Sequence, residues 1–147
     1  MPIEGGCFCG AVRFAAEGPL LMRGLCLCRT CQKISGGGGN LFVAVEAAGF
    51  AYTAGEPARF QRAPDAPMRE FCGDCGVQLT ARSQRAPTAV LLKVGALDDP
   101  ALYEGPELVV WTDEKQPFHL VPPGVPAYGR MPSPPPAGAP SNPGPKP

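Results

Sequence analysis

The sequence has no excess of either charge. Thirteen basic residues balance thirteen acidic ones, so the broad positive field that draws a protein to nucleic acid is missing and no nucleic-acid partner is expected. Nor does any apolar run approach the roughly 18 residues needed to span a bilayer; the longest, residues 41–45 and 89–92, are strand-sized. The opening stretch MPIEGGCFCG lacks the apolar centre of a secretory signal. A soluble protein with no membrane partner is the expectation, and reduced thiols point to the cytoplasm. Large core residues are scarce too, because alanine makes up much of the 44% hydrophobic content and 19 glycines and 20 prolines interrupt the rest.

Cysteine, by contrast, is plentiful and ordered. Seven residues form three tight groups: Cys7-x-Cys9, Cys26-x-Cys28-x-x-Cys31 and Cys72-x-x-Cys75. An odd count and neighbours only two apart argue against a disulfide framework. Core cysteines would have no reason to recur at knuckle spacing. A soft tetrahedral metal does need thiolates in this arrangement, since each short pair brings two sulfurs to one point from a single bend of backbone. Seven divides into four plus three: one closed, structural site, and a second whose three sulfurs leave a coordination position for water or substrate. A structural metal contributes on the order of 10 kcal/mol to folding, which would offset the thin core. Thiolates alone do not separate zinc from rubredoxin-type iron.

Short alternating segments bounded by glycine or proline indicate an all-β domain with little helix. Val12 and Phe14 flank Arg13. Leu41, Val43 and Val45 share a face, as do Val90, Leu92 and Val94, with Lys93 on the other side; Val77 alternates with Leu79, and residues 108–112 read as a further strand with Trp111 in its core. The one helical candidate covers residues 29–34, stopped by Ser35 and the run Gly36 to Gly39. Cys9-Gly10 and Cys75-Gly76 each lead into a strand, and glycine there meets the positive φ of a metal knuckle. From Val121 onward proline dominates, and composition alone reads that stretch as extended and disordered, leaving about residues 1–120 folded.

Spacing leaves two partitions open. Side chains at i and i+2 of an extended chain face the same way, so Cys26 and Cys28, closed by Cys31 one helical turn on, make a local three-sulfur site, and Cys7 and Cys9 join Cys72 and Cys75. Alternatively Cys28, Cys31, Cys72 and Cys75 form a rubredoxin-type site, leaving Cys7, Cys9 and Cys26.

The succession GGCFCGAVRF, CLCRTCQKISGG, FCGDCGVQL and PFHLVPPGVPAYG strongly resembles the glutathione-dependent formaldehyde-activating enzyme family, which also includes centromere protein V-like proteins. The resemblance covers residues 3–129 and all seven cysteines. It implies coiled antiparallel β-sheets with zinc knuckles, of the Mss-four-like complex type, over residues 1–130; composition reads residues 131–147 as a proline-rich disordered tail. It implies two zinc ions per chain: a structural one on Cys7, Cys9, Cys72 and Cys75, and a second on Cys26, Cys28 and Cys31, which would be the catalytic residues. The activity implied is that of a carbon-sulfur lyase, making or breaking S-hydroxymethylglutathione from glutathione and formaldehyde. Two departures stand beside the second site. Leu27 occupies a position where family members often carry histidine, and four glycines follow the cluster where they tend to carry small and aromatic residues.

Glutathione is anionic, and Arg29 and Lys33, four apart on one helical face, are the candidate cations for its carboxylates. His119, the one histidine, lies outside the clusters and reads as a surface or packing residue; Asp74 reads as an exposed turn residue. A competing function is a non-catalytic zinc module that binds a protein partner, for which residues 132–136 (PSPPP) offer a docking segment.

Overall fold

The computed structural model describes residues 1–132; the proline-rich tail expected beyond them lies outside the described residues. Its elements are β1 (Ile3–Gly6), β2 (Arg13–Ala16), β3 (Met22–Cys26), α1 (Arg29–Ile34), β4 (Asn40–Glu46), β5 (Phe50–Ala54), β6 (Ala58–Phe60), β7 (Met68–Phe71), β8 (Gln78–Arg82), β9 (Ala89–Lys93) and β10 (Leu108–Val110), with short 3₁₀ turns between some of them. The expected all-β class and the single short helix are observed. Three strands form a small sheet in the order β1-β2-β5, and seven form a larger one in the order β10-β3-β4-β9-β8-β7-β6. Pairing is antiparallel except between β10 and β3, which run parallel. Among the described residues, no helix is long and apolar enough to cross a membrane.

The main core lies between the sheets. Ile3, Val12, Phe14 and Ala16 of the smaller sheet and its margin cluster with Val43, Val45, Leu79, Val90 and Leu92 of the larger. Strand β4 sits centrally between β3 and β9. Its residues Phe42, Val43, Ala44 and Val45 are all buried, while Leu41 is exposed, so the strand is covered on both faces along that stretch and the simple alternation read from its sequence is lost.

A smaller core of Leu25, Leu27 and Val109 receives Val121 and Val125. This corrects the reading of everything beyond Val121 as extended and disordered. Val109 donates its N–H to Pro126 and accepts from Tyr128, and Thr112 donates to the Tyr128 carbonyl. The apolar residues among the prolines dock on β10, which composition could not reveal. Strand β10 also ends at Val110, earlier than expected. Trp111 has a positive φ of 62° and is half-buried at the start of a 3₁₀ turn, with the Arg130 guanidinium over its ring, so it is not a core strand residue.

Glu70 on β7 is a buried carboxylate that ties three strands. It accepts from Arg59 on β6 at 2.8 Å, and from Thr80 at 2.8 Å and Arg82 at 2.9 Å on β8. Burial pushes its carboxyl up, but the hydrogen bonds from Arg82, Thr80 and Arg59 outweigh that, so its pKa lies below the ordinary value. A depressed folded pKa means that the contribution to stability is present above the unfolded value and is lost as pH falls through the folded one. Glu70→Gln should therefore cost about 2 kcal/mol at neutral pH, toward the low end for a buried pair because both arginines are partly exposed. The gap in denaturant midpoint from wild type should close as the pH is lowered past about 4; a gap independent of pH would refute the assignment.

Candidate metal centres

Two knuckles bring four sulfurs together. Cys7 donates its N–H to the Val12 carbonyl at 3.0 Å, and Cys72 donates to Val77 at 2.9 Å; Gly10 donates back to the Cys7 carbonyl and Gly76 to that of Cys72. These two bends of backbone share one hydrogen-bond plan, and the φ values of +80° at Gly10 and +77° at Gly76 are those glycine adopts without steric cost. Cys7, Phe8 and Cys9 lie in this turn and not in the extended segment that the spacing suggested. The Val12 N–H points at the Cys7 sulfur at 3.3 Å, and the Cys75 N–H at the Cys72 sulfur at 3.5 Å.

The sulfurs of Cys7 and Cys9 are 3.6 Å apart, and those of Cys9 and Cys72 are 3.7 Å apart. Thiolates on a tetrahedral zinc-sized ion are separated by about 3.8 Å, whereas a disulfide needs about 2.05 Å. All four sulfur positions lie within 4.8 Å of one another. The donor set therefore fits a closed four-thiolate metal centre, with Cys7 and Cys72 buried, Cys75 half-buried and Cys9 exposed.

Cys26, Cys28 and Cys31 form a separate group, again with sulfurs within 4.8 Å of one another. Cys26 closes β3, Cys28 is the N-cap of α1, and Cys31 lies inside the helix, donating its N–H to the Cys28 sulfur at 3.3 Å. Hydrogen bonding with Cys26 and Cys31 pulls the Cys28 thiol down, while the Cys28 and Cys31 sulfurs push the Cys26 thiol up. Leu27 is fully buried and faces the small core. The structure brings together the four-plus-three set and separates Cys28 and Cys31 from Cys72 and Cys75.

The surroundings of the three-sulfur group contain residues that the sequence did not flag. Lys93 is buried, with its ammonium donating to the Asn40 side chain at 2.8 Å. Asn40 is itself the β-sheet partner of Cys26. Burial lowers the Lys93 pKa to about 8, against the attraction of Cys31, Cys26 and Cys28, so the ammonium lies in electrostatic reach of all three sulfurs. Arg69 on β7 also acts on Cys28. Gln32, buried, donates to the carbonyls of Leu27 at 2.7 Å and Glu114 at 2.8 Å and so pins α1 to the 3₁₀ turn Thr112–Glu114. The strand alternation that placed Lys93 opposite the apolar row was the only available signal, and it carried no hint of burial.

Arg29 and Lys33 are both exposed and, with Gln116 and Phe118, line a shallow depression of about 600 Å³. Arg29 is partly committed, since it hydrogen-bonds the Gln32 side chain through its guanidinium and Glu114 through its backbone N–H. His119 is buried and accepts from the Gln116 N–H at 2.8 Å, while its other ring nitrogen meets the Gly37 carbonyl at 2.6 Å. It is a packing residue that fastens the glycine run after α1. Asp74 is exposed in its turn.

A family model described as glutathione-dependent formaldehyde-activating enzyme matches residues 2–114. A crystal structure of a Rhodobacter sphaeroides protein from structural genomics superposes with a TM-score of 0.57 at 18% identity, covering 85% of this chain and 98% of that one. At that identity the likeness bears on the fold. No curated protein matches the sequence.

The two groups make opposite predictions for serine substitution. Cys72→Ser should leave the chain insoluble or strongly destabilised, because the four-sulfur centre joins segments some sixty-five residues apart in sequence. Cys28→Ser should lose one equivalent of metal by elemental analysis while its melting temperature stays close to wild type, because its group is local. The reverse pattern would show that the fold depends on the other centre.

Proposed function

We propose that this chain, which belongs to the glutathione-dependent formaldehyde-activating enzyme family, is a carbon-sulfur lyase that joins a low-molecular-weight thiol to an aldehyde, with glutathione and formaldehyde as the pair the family implies. The observation that carries this reading is the three-sulfur group of Cys26, Cys28 and Cys31, one donor short of a closed tetrahedral set. These three would hold the second zinc ion, and Cys7, Cys9, Cys72 and Cys75 the first. When bound at the three sulfurs, zinc supplies a coordination position at which a thiol is held as thiolate below its usual pKa of about 8.5.

The residues around the group supply the rest. Three thiolates give a divalent ion a net charge near minus one, which the buried Lys93 ammonium and Arg69 offset. Arg29 and Lys33, on the rim of the larger depression, bind the carboxylates of glutathione. In the reaction the thiol sulfur bonds to the carbonyl carbon, the carbonyl π pair moves to oxygen, and that oxygen takes up one proton to replace the one lost by the thiol. The product is the S-hydroxymethyl adduct, formed without oxidant or reductant, and the reverse sequence breaks the carbon-sulfur bond. No histidine is available at Leu27 for these proton movements. Seven free thiols suit a reducing compartment such as the cytoplasm.

The test is the rate of S-hydroxymethylglutathione formation above the uncatalysed background, with wild type and Cys28→Ser compared at equal folded concentration. Wild type should exceed background and Cys28→Ser should not. Arg29→Ala combined with Lys33→Ala should weaken glutathione binding by about 1 kcal/mol, an effect that fades with added salt. A wild-type rate equal to background with glutathione and with other common thiols would instead favour a zinc module that binds a protein partner.

A further inference from the structure

The short segment that carries two of the three sulfurs is held on every side. Leu27, between Cys26 and Cys28, donates its N–H to the Val110 carbonyl at 3.0 Å, accepts at its own carbonyl from the Gln32 side chain at 2.7 Å, and buries its side chain completely. The third sulfur is less secure by itself. Cys31 belongs to α1, a helix of six residues, and an isolated helix shorter than about 12 residues is marginal in water, so α1 depends on its tertiary contacts. Its buried residues are two, Cys31 and Gln32. One is a metal ligand, and the other is the buried side chain that remains to hold the helix before a metal arrives.

Gln32 makes every hydrogen bond that its amide can make. Its nitrogen donates to the Leu27 carbonyl and, at 2.8 Å, to the Glu114 carbonyl; its oxygen accepts from the Arg29 guanidinium and, at 3.3 Å, from the Gln116 side chain. Two N–H donors and two lone pairs are the full capacity of a carboxamide, so none is left for a substrate. The Glu114 end is firm. Thr112 and Asp113 of that turn donate to the Tyr128 and Gly129 carbonyls, and the Glu114 carboxylate accepts from the Arg29 N–H at the start of α1 at 2.7 Å. From within the helix that bears the third sulfur, one buried amide therefore joins the backbone between the other two to an anchored turn outside the group.

We propose that Gln32 is a positioning residue for a metal at the three-sulfur group, holding Cys31 and the backbone of residues 26–28 in the ligating arrangement before the metal binds. This rests on the reading of that group as a metal site and is independent of which thiol or aldehyde is used. In a chain without the amide, α1 has to be ordered as the metal binds, and affinity falls by the free energy of that ordering. Hydrogen-bonding groups behind a metal site typically change its affinity by about 10–100-fold when removed. Gln32 bonds to no residue of the four-sulfur centre, so that centre should keep its affinity.

The test is a chelator competition on the zinc-loaded full chain, with bound zinc counted by elemental analysis and Cys28→Ser used to identify the equivalent that belongs to the three-sulfur group. Gln32→Met keeps the length of the side chain and removes the amide, whereas Gln32→Glu keeps the shape and the accepting oxygens and removes the two N–H donors. Both should weaken the three-sulfur equivalent about tenfold or more and leave the other unchanged. Amide exchange gives a readout that a general loss of stability would not. The N–H groups of Gln32 and Ser35, which bond to the Cys28 and Cys31 carbonyls, should exchange faster than in wild type once the three-sulfur equivalent is removed, and should match wild type in excess zinc. An unchanged affinity in either variant, or loss of both equivalents together, would overturn the proposal and leave the metal reading intact. A wild type that holds one equivalent of zinc would remove both.

Discussion

The convergence of four sulfurs between the two sheets is the constraint on which the rest of the architecture depends. Cys7 and Cys9 follow β1 in the small sheet, and Cys72 and Cys75 follow β7 in the large one. Their meeting fixes how the sheets face each other, and the main core fills the space so defined. With so much alanine and glycine in the chain, hydrophobic burial alone offers few large side chains to specify that arrangement. Four thiolates at one point specify it by geometry. Each knuckle is in turn set by its own backbone hydrogen bonds, so the requirement passes down to single residues such as Gly10 and Gly76.

The three-sulfur group stands in a different relation to the fold. It is confined to the end of β3 and the start of α1, and it bridges no sheets. Its neighbours are fastened by polar contacts: Gln32 holds the helix to the 3₁₀ turn Thr112–Glu114, and His119 holds the glycine run. A four-sulfur group that joins the two sheets and a local three-sulfur group are thereby separated in one small domain.

Much of this was legible in the sequence because metal ligation is local. Knuckle spacing, glycine after the second cysteine, and a helical turn between Cys28 and Cys31 all leave marks within a few residues. The pairing of knuckles across the sequence leaves none, and spacing alone did not decide between the two partitions. Lys93 was hidden for a related reason. Alternation along β9 placed it opposite the apolar row, where a lysine normally meets water, yet in the fold it is buried with its ammonium hydrogen-bonded to Asn40. Trp111 looked like strand because aromatics favour strands, yet the chain turns there through a positive φ. The segment after Val121 was misread because prolines mask two docking valines.

That docked segment bears on how the protein behaves among its own copies. Strand β10 is the outermost strand of the larger sheet, and its free edge would offer a template for another chain to extend. Here it pairs with residues 126–128, whose first member is a proline and which stand next to further prolines at 122 and 123. A ladder that ends in proline-rich backbone has few amide hydrogens left to offer a newcomer. The composition that looked like loose tail therefore works at this margin as a terminator, closing the growing side of the sheet against self-association.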